Sequence, residues 1–163
     1  MKSKKTIFIT EAAVIAAIYI VLVLVFSFIS YGPVQCRIAE ALTVLPYFTP
    51  AAIPGVTLGC FLSGVLIPGT SVLDMVFGSM ATLIAALLSY KLRFNKFLVP
   101  IPPIIINALV IPWILKFAYG DAQPIPFNML TVGAGELVAA GIFGMVLLFT
   151  LNSIKHIVFR GNK

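Results

Sequence analysis

Charged side chains are scarce in this chain: 10% of its 163 residues are Asp, Glu, Lys or Arg, and 61% are hydrophobic. A soluble domain carries roughly 25% charged residues, so this chain lacks the polar groups that a water-exposed surface needs. The shortage excludes a separate soluble catalytic domain and a nucleic-acid-binding module, despite a net charge of +6. With a mean hydropathy of +1.12, the sequence predicts an integral membrane protein.

Cysteine and histidine are equally rare. The two cysteines, Cys36 and Cys60, have no metal-ligand spacing, and the single histidine, His156, lies among cations near the C-terminus. This pattern excludes a disulfide-stapled scaffold and predicts no metal site. Because the sequence also has no second histidine to serve as a base and no glycine-rich phosphate loop, we predict neither an enzyme nor a cofactor.

Long apolar runs fill the chain instead, interrupted by proline and glycine. A transmembrane helix needs about 20 apolar residues. We predict an all-α integral membrane protein, a single bundle of six transmembrane helices over residues 7–29, 37–48, 52–67, 71–90, 97–117 and 130–151. The second segment is too short for the roughly 30 Å hydrocarbon core, so we expect it to be broken or sunk within the bundle, where irregular backbone usually lines a cavity.

Basic residues fall mainly on one side of this arrangement. Three lie in the N-terminal tail, three in the loop between the fourth and fifth segments, and three in the C-terminal tail. Only Arg37 and Lys116 fall on the other side. Because cytoplasmic loops of membrane proteins are enriched in Lys and Arg, we predict that both termini are cytoplasmic.

Acidic residues are predicted mostly on the opposite, outer side, where Glu40, Asp74 and Glu136 lie near the ends of their segments. An ionised group at depth costs at least about 2.5 to 3.5 kcal/mol, so Glu136 needs a partner or water. Two structural explanations stay open. Glu40 can pair with Arg37, three residues earlier on a helix, and Glu136 can bond another helix's backbone or Lys116.

An amide and two aromatic rings are predicted near the same face: Asn107, Trp113 and Tyr31. Each has an ordinary explanation, a helix–helix hydrogen bond for the amide and anchoring at the membrane interface for the rings. Together with the acids they suit a planar, hydrogen-bonding ligand, including a cationic one. The candidate substrate-binding residues are therefore Glu136, Glu40, Arg37, Asn107, Trp113, Tyr31, Gln35 and Asp74.

The first segment contains small residues at helical spacing: Ala12 with Ala16, and Ala13 with Ala17. Small residues four apart let another helix approach closely in lipid. The spacing fits a docking face for a partner protein and fits internal packing equally well.

Residues 35–54, which read QCRIAEALTVLPYFTPAAIP and are followed by Gly55 and by Gly59-Cys60, resemble the signature of the QueT family. Its members are membrane substrate-binding (S) components of energy-coupling factor (ECF) transporters, assigned to queuosine precursors. The resemblance implies a prokaryotic plasma-membrane protein that binds its ligand at the outer face. It also implies a transmembrane coupling protein and two ATPases as partners, docked on alanines of the first helix.

On this resemblance we predict capture of a deazaguanine such as aminomethyl-deazaguanine, with Glu136 and Glu40 accepting the base edge and the aminomethyl cation. Asn107 would complete the edge, and Trp113 or Tyr31 would cover the ring. Two alternatives stay open: an S component for another vitamin-like compound, and a structural membrane subunit without transport. No ATP-binding motif exists in the chain, so uptake would need the partner ATPases.

Overall fold

The computed structural model describes residues 3–30 and 37–158, and all regular structure within these ranges is helical. Proline and glycine set many of the helix ends, as at Pro100 before one helix and Gly120 after it, where φ is +66°. The α-helices are α1 (Lys4–Val25), α2 (Ser27–Ser30), α3 (Ala52–Leu66), α4 (Ser79–Lys91), α5 (Ile101–Ala118), α6 (Ile125–Glu136) and α7 (Gly144–Val158). Three other elements complete the fold: a 3₁₀ helix (Ile38–Tyr47), a first π-helix (Asp74–Gly78) and a second π-helix (Leu137–Phe143).

Contacts between these elements show that the chain runs back and forth along one bundle. The 3₁₀ helix starts beside Arg37, which pairs with Asp74, and is followed by Thr49, whose hydroxyl donates to Glu11 at 2.7 Å. Helix α3 then runs parallel to α1. The first π-helix and α4 return to the Glu11 end, α5 leads back to the Asp74 end, and α6, the second π-helix and α7 form the last pass.

The 3₁₀ helix is the centre of the bundle. It contacts α1, α3, α4, α7 and the second π-helix, and its residues from Ala39 to Pro46 are all buried. A 3₁₀ helix rises about 2.0 Å per residue against 1.5 Å in an α-helix, so ten residues extend further along the bundle axis. The segment is thus sunk among the other helices, as its length predicts.

The outer faces of the helices are apolar and exposed. Within the described ranges, three helical stretches are long and apolar enough to cross a membrane: Lys4–Val25, Ile101–Ala118 and Ile125–Lys155. Ile38–Tyr47 and Ala52–Leu66 are apolar but shorter. Large side chains such as Leu130, at 74% exposed, point away from the bundle, as they do when lipid is the solvent.

Basic residues collect at the Glu11 end of the bundle. Lys4 and Lys5 begin α1, Lys91 ends α4, and Lys155 lies in the last turns of α7. Lys96, in the loop before α5, lies 4.7 Å from the ring centroid of Phe149 on α7. The lysines and arginines that the sequence assigns to one side therefore share one end of the bundle within the described ranges.

Candidate functional site

Glu40 lies near the start of the 3₁₀ helix and is 1% exposed. The hydroxyl of Tyr19, on α1, donates to Glu40 Oε1 at 2.5 Å, and Tyr19 is itself fully buried. The other carboxylate oxygen, Oε2, is buried and accepts no hydrogen bond. Tyr19 therefore occupies one carboxylate oxygen of Glu40 and leaves the other as a buried acceptor.

Glu136 is the last residue of α6, where the helix changes into the second π-helix, and it is 3% exposed. The amide of Asn107, on α5, donates to Glu136 Oε1 at 2.9 Å. Glu136 Oε2 and Asn107 Oδ1 are buried without partners. The sequence predicts that this helix begins near Leu130, but α6 begins at Ile125. Glu136 therefore lies more than one helical turn further from the start of its helix than expected.

The two glutamates form one site. Asn107 donates to Glu136 and lies near Glu40, as does Thr82 of α4. Glu136 and Glu40 are close enough to interact electrostatically. We call Glu40, Glu136 and Asn107 the acceptor cluster. It is built from three passes of the chain, namely the 3₁₀ helix, α5 and the last pass, so it exists only in the folded bundle.

A partly buried ion pair lies at the Asp74 end of the bundle. Arg37 Nη2 donates to both carboxylate oxygens of Asp74, at 3.2 and 3.0 Å, with side chains 11% and 4% exposed. The hydroxyl of Tyr119 donates to Asp74 Oδ2 at 3.0 Å and accepts from the Ser71 backbone N–H at 3.2 Å. The suggested Arg37–Glu40 ion pair is therefore wrong: Arg37 forms its salt bridge with an acid from a different pass of the chain.

Lys116 is not a partner of Glu136 either. Its Nζ donates to the backbone carbonyl of Asp121 at 3.2 Å, in the exposed loop after α5. The Gln123 backbone N–H and the Asn128 side-chain amide donate to the Asp121 carboxylate at 3.0 and 2.8 Å and hold its pKa below the ordinary value. Asp121 is thus fixed in this loop, apart from the buried acids.

Trp113 lies away from the acceptor cluster. It is 47% exposed and stacks on Phe117, with ring centroids 6.1 Å apart. Both rings line an apolar groove of about 450 Å³ on the outside of α5. That Trp113 covers a bound ring stays a prediction. Tyr31, Gln35 and Cys36 lie outside the described residues.

A small cavity lies between Tyr19 and the ion pair. Its volume is about 10 Å³, roughly the space of one water molecule. Thr70 is one of its lining residues, and the hydroxyl oxygen of Thr70 is buried without a partner. Pockets for small molecules measure about 300–1,000 Å³. In this closed arrangement the cavity is too small for a planar heterocycle, so the passes around it must move apart to admit one.

Sequence comparison places these features in a known family. The profile of the QueT transporter family matches residues 9–153, which is most of the chain. The chain belongs to the QueT transporter family. It is 36% identical over 99 residues to a protein described as "Queuosine precursor transporter QueT" from Lactococcus lactis subsp. cremoris (strain MG1363). That match covers 60% of this chain and 57% of the relative, and no solved structure matches the chain.

The alanines of α1 in this QueT-family chain divide into two faces. Ala12 and Ala16 are buried against α3, where the glycines Gly55 and Gly59 let the backbones approach. Ala12 and Ala16 are therefore internal packing residues, which corrects their assignment to a partner interface. Ala13 and Ala17 are exposed.

The described part of this family member contains no group of three or more His, Cys, Asp or Glu side chains that could hold a metal ion. Cys60 is a buried free thiol that lines the small cavity. Sequence reasoning did not include Tyr19 or Thr82 in the site. The available signal for Tyr19 was its hydroxyl, one of the few polar groups in the long apolar first segment.

Proposed function

We propose that this protein is the substrate-capture (S) subunit of an ECF-type importer and that it binds a queuosine precursor, a deazaguanine. Membership of the QueT family supports the substrate class. The acceptor cluster carries the proposal, since it offers unpartnered oxygens on Glu40, Glu136 and Asn107 within an apolar bundle. A purely structural subunit has no need of two buried carboxylates there, given their cost in a membrane.

The chemistry of the ligand fits this cluster. A guanine-like ring presents a ring N–H and an exocyclic amine side by side, and a carboxylate accepts from both. Hydrogen bonds to a charged group inside a protein contribute roughly 1.5 to 3 kcal/mol each. The apolar surroundings of the cluster strengthen them further, because little water competes.

Entry from the outer face agrees with the distribution of charge. The basic end of the bundle would face the cytoplasm by the positive-inside rule, and the Arg37–Asp74 pair would then lie at the outer face. The ligand would reach the acceptor cluster past this pair and the small cavity beneath it.

Partner subunits would supply the energy, because the sequence has no ATP-binding motif. Ala13 and Ala17 are the exposed members of the alanine pairs and would meet the coupling protein. Their small side chains permit close approach of a second helix in lipid. The ATPases would bind the coupling protein on the cytoplasmic side.

Calorimetry on the detergent-solubilised protein tests this function. We expect saturable binding of a deazaguanine precursor, and about ten-fold or more weaker binding in Glu136→Gln, which keeps the shape but removes the charge. Asp121→Asn is the matched control, since Asp121 lies in the exposed loop, and it should bind as the wild type does. Near-native affinity in both Glu136→Gln and Glu40→Gln would exclude the acceptor cluster as the site.

A further inference from the structure

An apolar groove of about 500 Å³ runs along the outside of the bundle between α1 and α7. Leu42 and Leu45 of the 3₁₀ helix form its floor, and Leu147 and Leu151 of α7 form one wall. Helix α1 packs against α3 and the 3₁₀ helix, while α7 packs against the 3₁₀ helix and the second π-helix. The groove therefore lies where the first and last passes of the chain diverge, and Val14 on its α1 wall is 52% exposed.

The groove has the length of one leaflet of a bilayer. Its α1 wall extends from Ile7 to Ile18, which at 1.5 Å per residue is roughly 16 Å. The hydrocarbon core of a bilayer is about 30 Å thick, so one leaflet contributes about 15 Å. An extended acyl chain lying along the groove thus reaches from the membrane interface to about the middle of the bilayer.

The two polar residues in the wall of the groove are already hydrogen-bonded within the protein. The hydroxyl of Thr10 donates to the Thr6 carbonyl at 2.8 Å, and the Glu11 carboxylate accepts from the Thr49 hydroxyl at 2.7 Å. The other lining residues are isoleucine, leucine and valine. A polar solute finds few free partners on such a surface, whereas a hydrocarbon chain needs none.

Lysines lie at the Glu11 end of the groove, on both of its walls. Lys4 lies three residues before Ile7 on α1, and Lys155 lies four residues after Leu151 on α7. Residues three or four apart are neighbours on a helix surface, so both cations continue the faces that line the groove. Both lysines are exposed, and neither forms a salt bridge with a described acid. This end of the groove thus offers two cations to a phosphate.

We propose that this groove binds one anionic phospholipid, with an acyl chain along the groove and the headgroup phosphate between Lys4 and Lys155. Basic pockets between transmembrane helices bind anionic headgroups in this way. The site differs from the alanine face assigned above to the coupling protein, because Ala13 precedes Val14 by one residue and lies about 100° further round α1. A lipid in the groove bridges the first and last passes of the chain, so its binding stabilises the bundle.

Native mass spectrometry of the detergent-solubilised protein tests the site, with phosphatidylglycerol and phosphatidylcholine of identical acyl chains added in equal amounts. We expect one phosphatidylglycerol adduct, bound at least about five-fold more tightly than phosphatidylcholine, and a higher melting temperature with the anionic lipid. One lysine near an anionic headgroup contributes about 1 kcal/mol, or about five-fold in affinity. Lys4→Gln and Lys155→Gln should each lower phosphatidylglycerol affinity by about this factor. Lys116→Gln, at the opposite end of the bundle, is the matched control and should not.

Val14→Trp separates the groove from the basic residues at its end, because an indole at this position occupies the space of the acyl chain. Val65→Trp is its control, since Val65 on α3 is 55% exposed and does not line the groove. We expect the adduct to be lost in Val14→Trp and kept in Val65→Trp. Wild-type phosphatidylglycerol affinity in Val14→Trp would exclude the groove as the site. Equal binding of the two lipids by the wild type, or unchanged affinity in both Lys4→Gln and Lys155→Gln, would overturn the proposal. The wild-type comparison decides it even where a variant fails to fold.

Discussion

Replacing Gly59 with alanine tests how closely α1 and α3 pack, because the added methyl group has no room. A Cβ built on Gly59 lies 2.6 Å from Tyr19 Cβ and 2.9 Å from Tyr19 Cγ. Ordinary carbon–carbon contacts are about 3.5–4.0 Å, so the two helices must separate locally by roughly 1 Å. The change acts on the site as well, since Tyr19 holds Glu40.

The expected cost follows from overpacking. Extra methyl groups in a well-packed core cost about 1–3 kcal/mol, partly offset by the roughly 0.5–1 kcal/mol that alanine gains over glycine inside a helix. We therefore expect Gly59→Ala to lower the free energy of unfolding by about 0.5–2 kcal/mol, the second range subtracted from the first end for end. It should also weaken deazaguanine binding, because a displaced Tyr19 donates less well to Glu40.

Gly133→Ala is the matched control. A Cβ there meets only Ala108 Cβ at 3.5 Å, an ordinary contact, so this change should be neutral or slightly stabilising. Thermal unfolding in detergent, followed by circular dichroism, compares the two variants. Tight packing at Gly59 is contradicted if Gly59→Ala, like Gly133→Ala, melts at the wild-type temperature or above it.

Three further predictions concern the ion pair, the partner and the topology. Asp74→Asn removes the salt-bridge acid of the partly buried Arg37 and should destabilise the protein by about 1.5–3 kcal/mol in detergent melts; an unchanged melting point would contradict a structural ion pair. Ala17→Leu should reduce uptake and co-purification of ATPase subunits while calorimetry shows ligand binding intact, whereas loss of binding alone would assign Ala17 to internal packing. In a cysteine-free background, an impermeant thiol reagent applied to intact cells should label Cys at Gln123 and spare Cys at Phe94; the reverse would invert the topology.

Composition was sufficient to predict the all-helical class. In lipid, apolar segments of this length are restricted to helices or closed barrels, because every backbone polar group must be hydrogen-bonded internally. Proline and glycine mark many of the segment ends. The short second segment was expected inside the bundle on length alone, and Ile38–Tyr47 is buried there. Its 3₁₀ form was not predicted, because that form depends on the surrounding helices and not on local spacing.

The partners of the site residues were harder to predict. Arg37 and Glu40 have helical spacing, yet Arg37 pairs with Asp74, which lies 37 positions away. Tyr19 reaches Glu40 across 21 positions. Such pairings depend on how the passes are arranged in space, and a single sequence contains no direct signal for them.

Helix geometry explains where Trp113 and the alanines of α1 lie. Successive residues of an α-helix turn by about 100°. Trp113, six positions after Asn107, therefore points well away from it, toward the outside of the bundle. The alanines of α1 differ in the same way. Ala12 and Ala13 are one position apart, so only one of the two pairs can face α3. The spacing alone does not say which alanine pair faces α3, because that depends on the size of the side chains on α3. Gly55 and Gly59 of α3 provide the space for Ala12 and Ala16.

The mass of the small molecule bound to this protein shows whether it captures a queuosine precursor. The protein would be purified from cells supplied with deazaguanine precursors and then denatured. The molecular mass of the released compound would be measured by mass spectrometry. We expect a deazaguanine, in reduced amount from Glu136→Gln. Release of an unrelated vitamin-like compound, or of no small molecule, would contradict it.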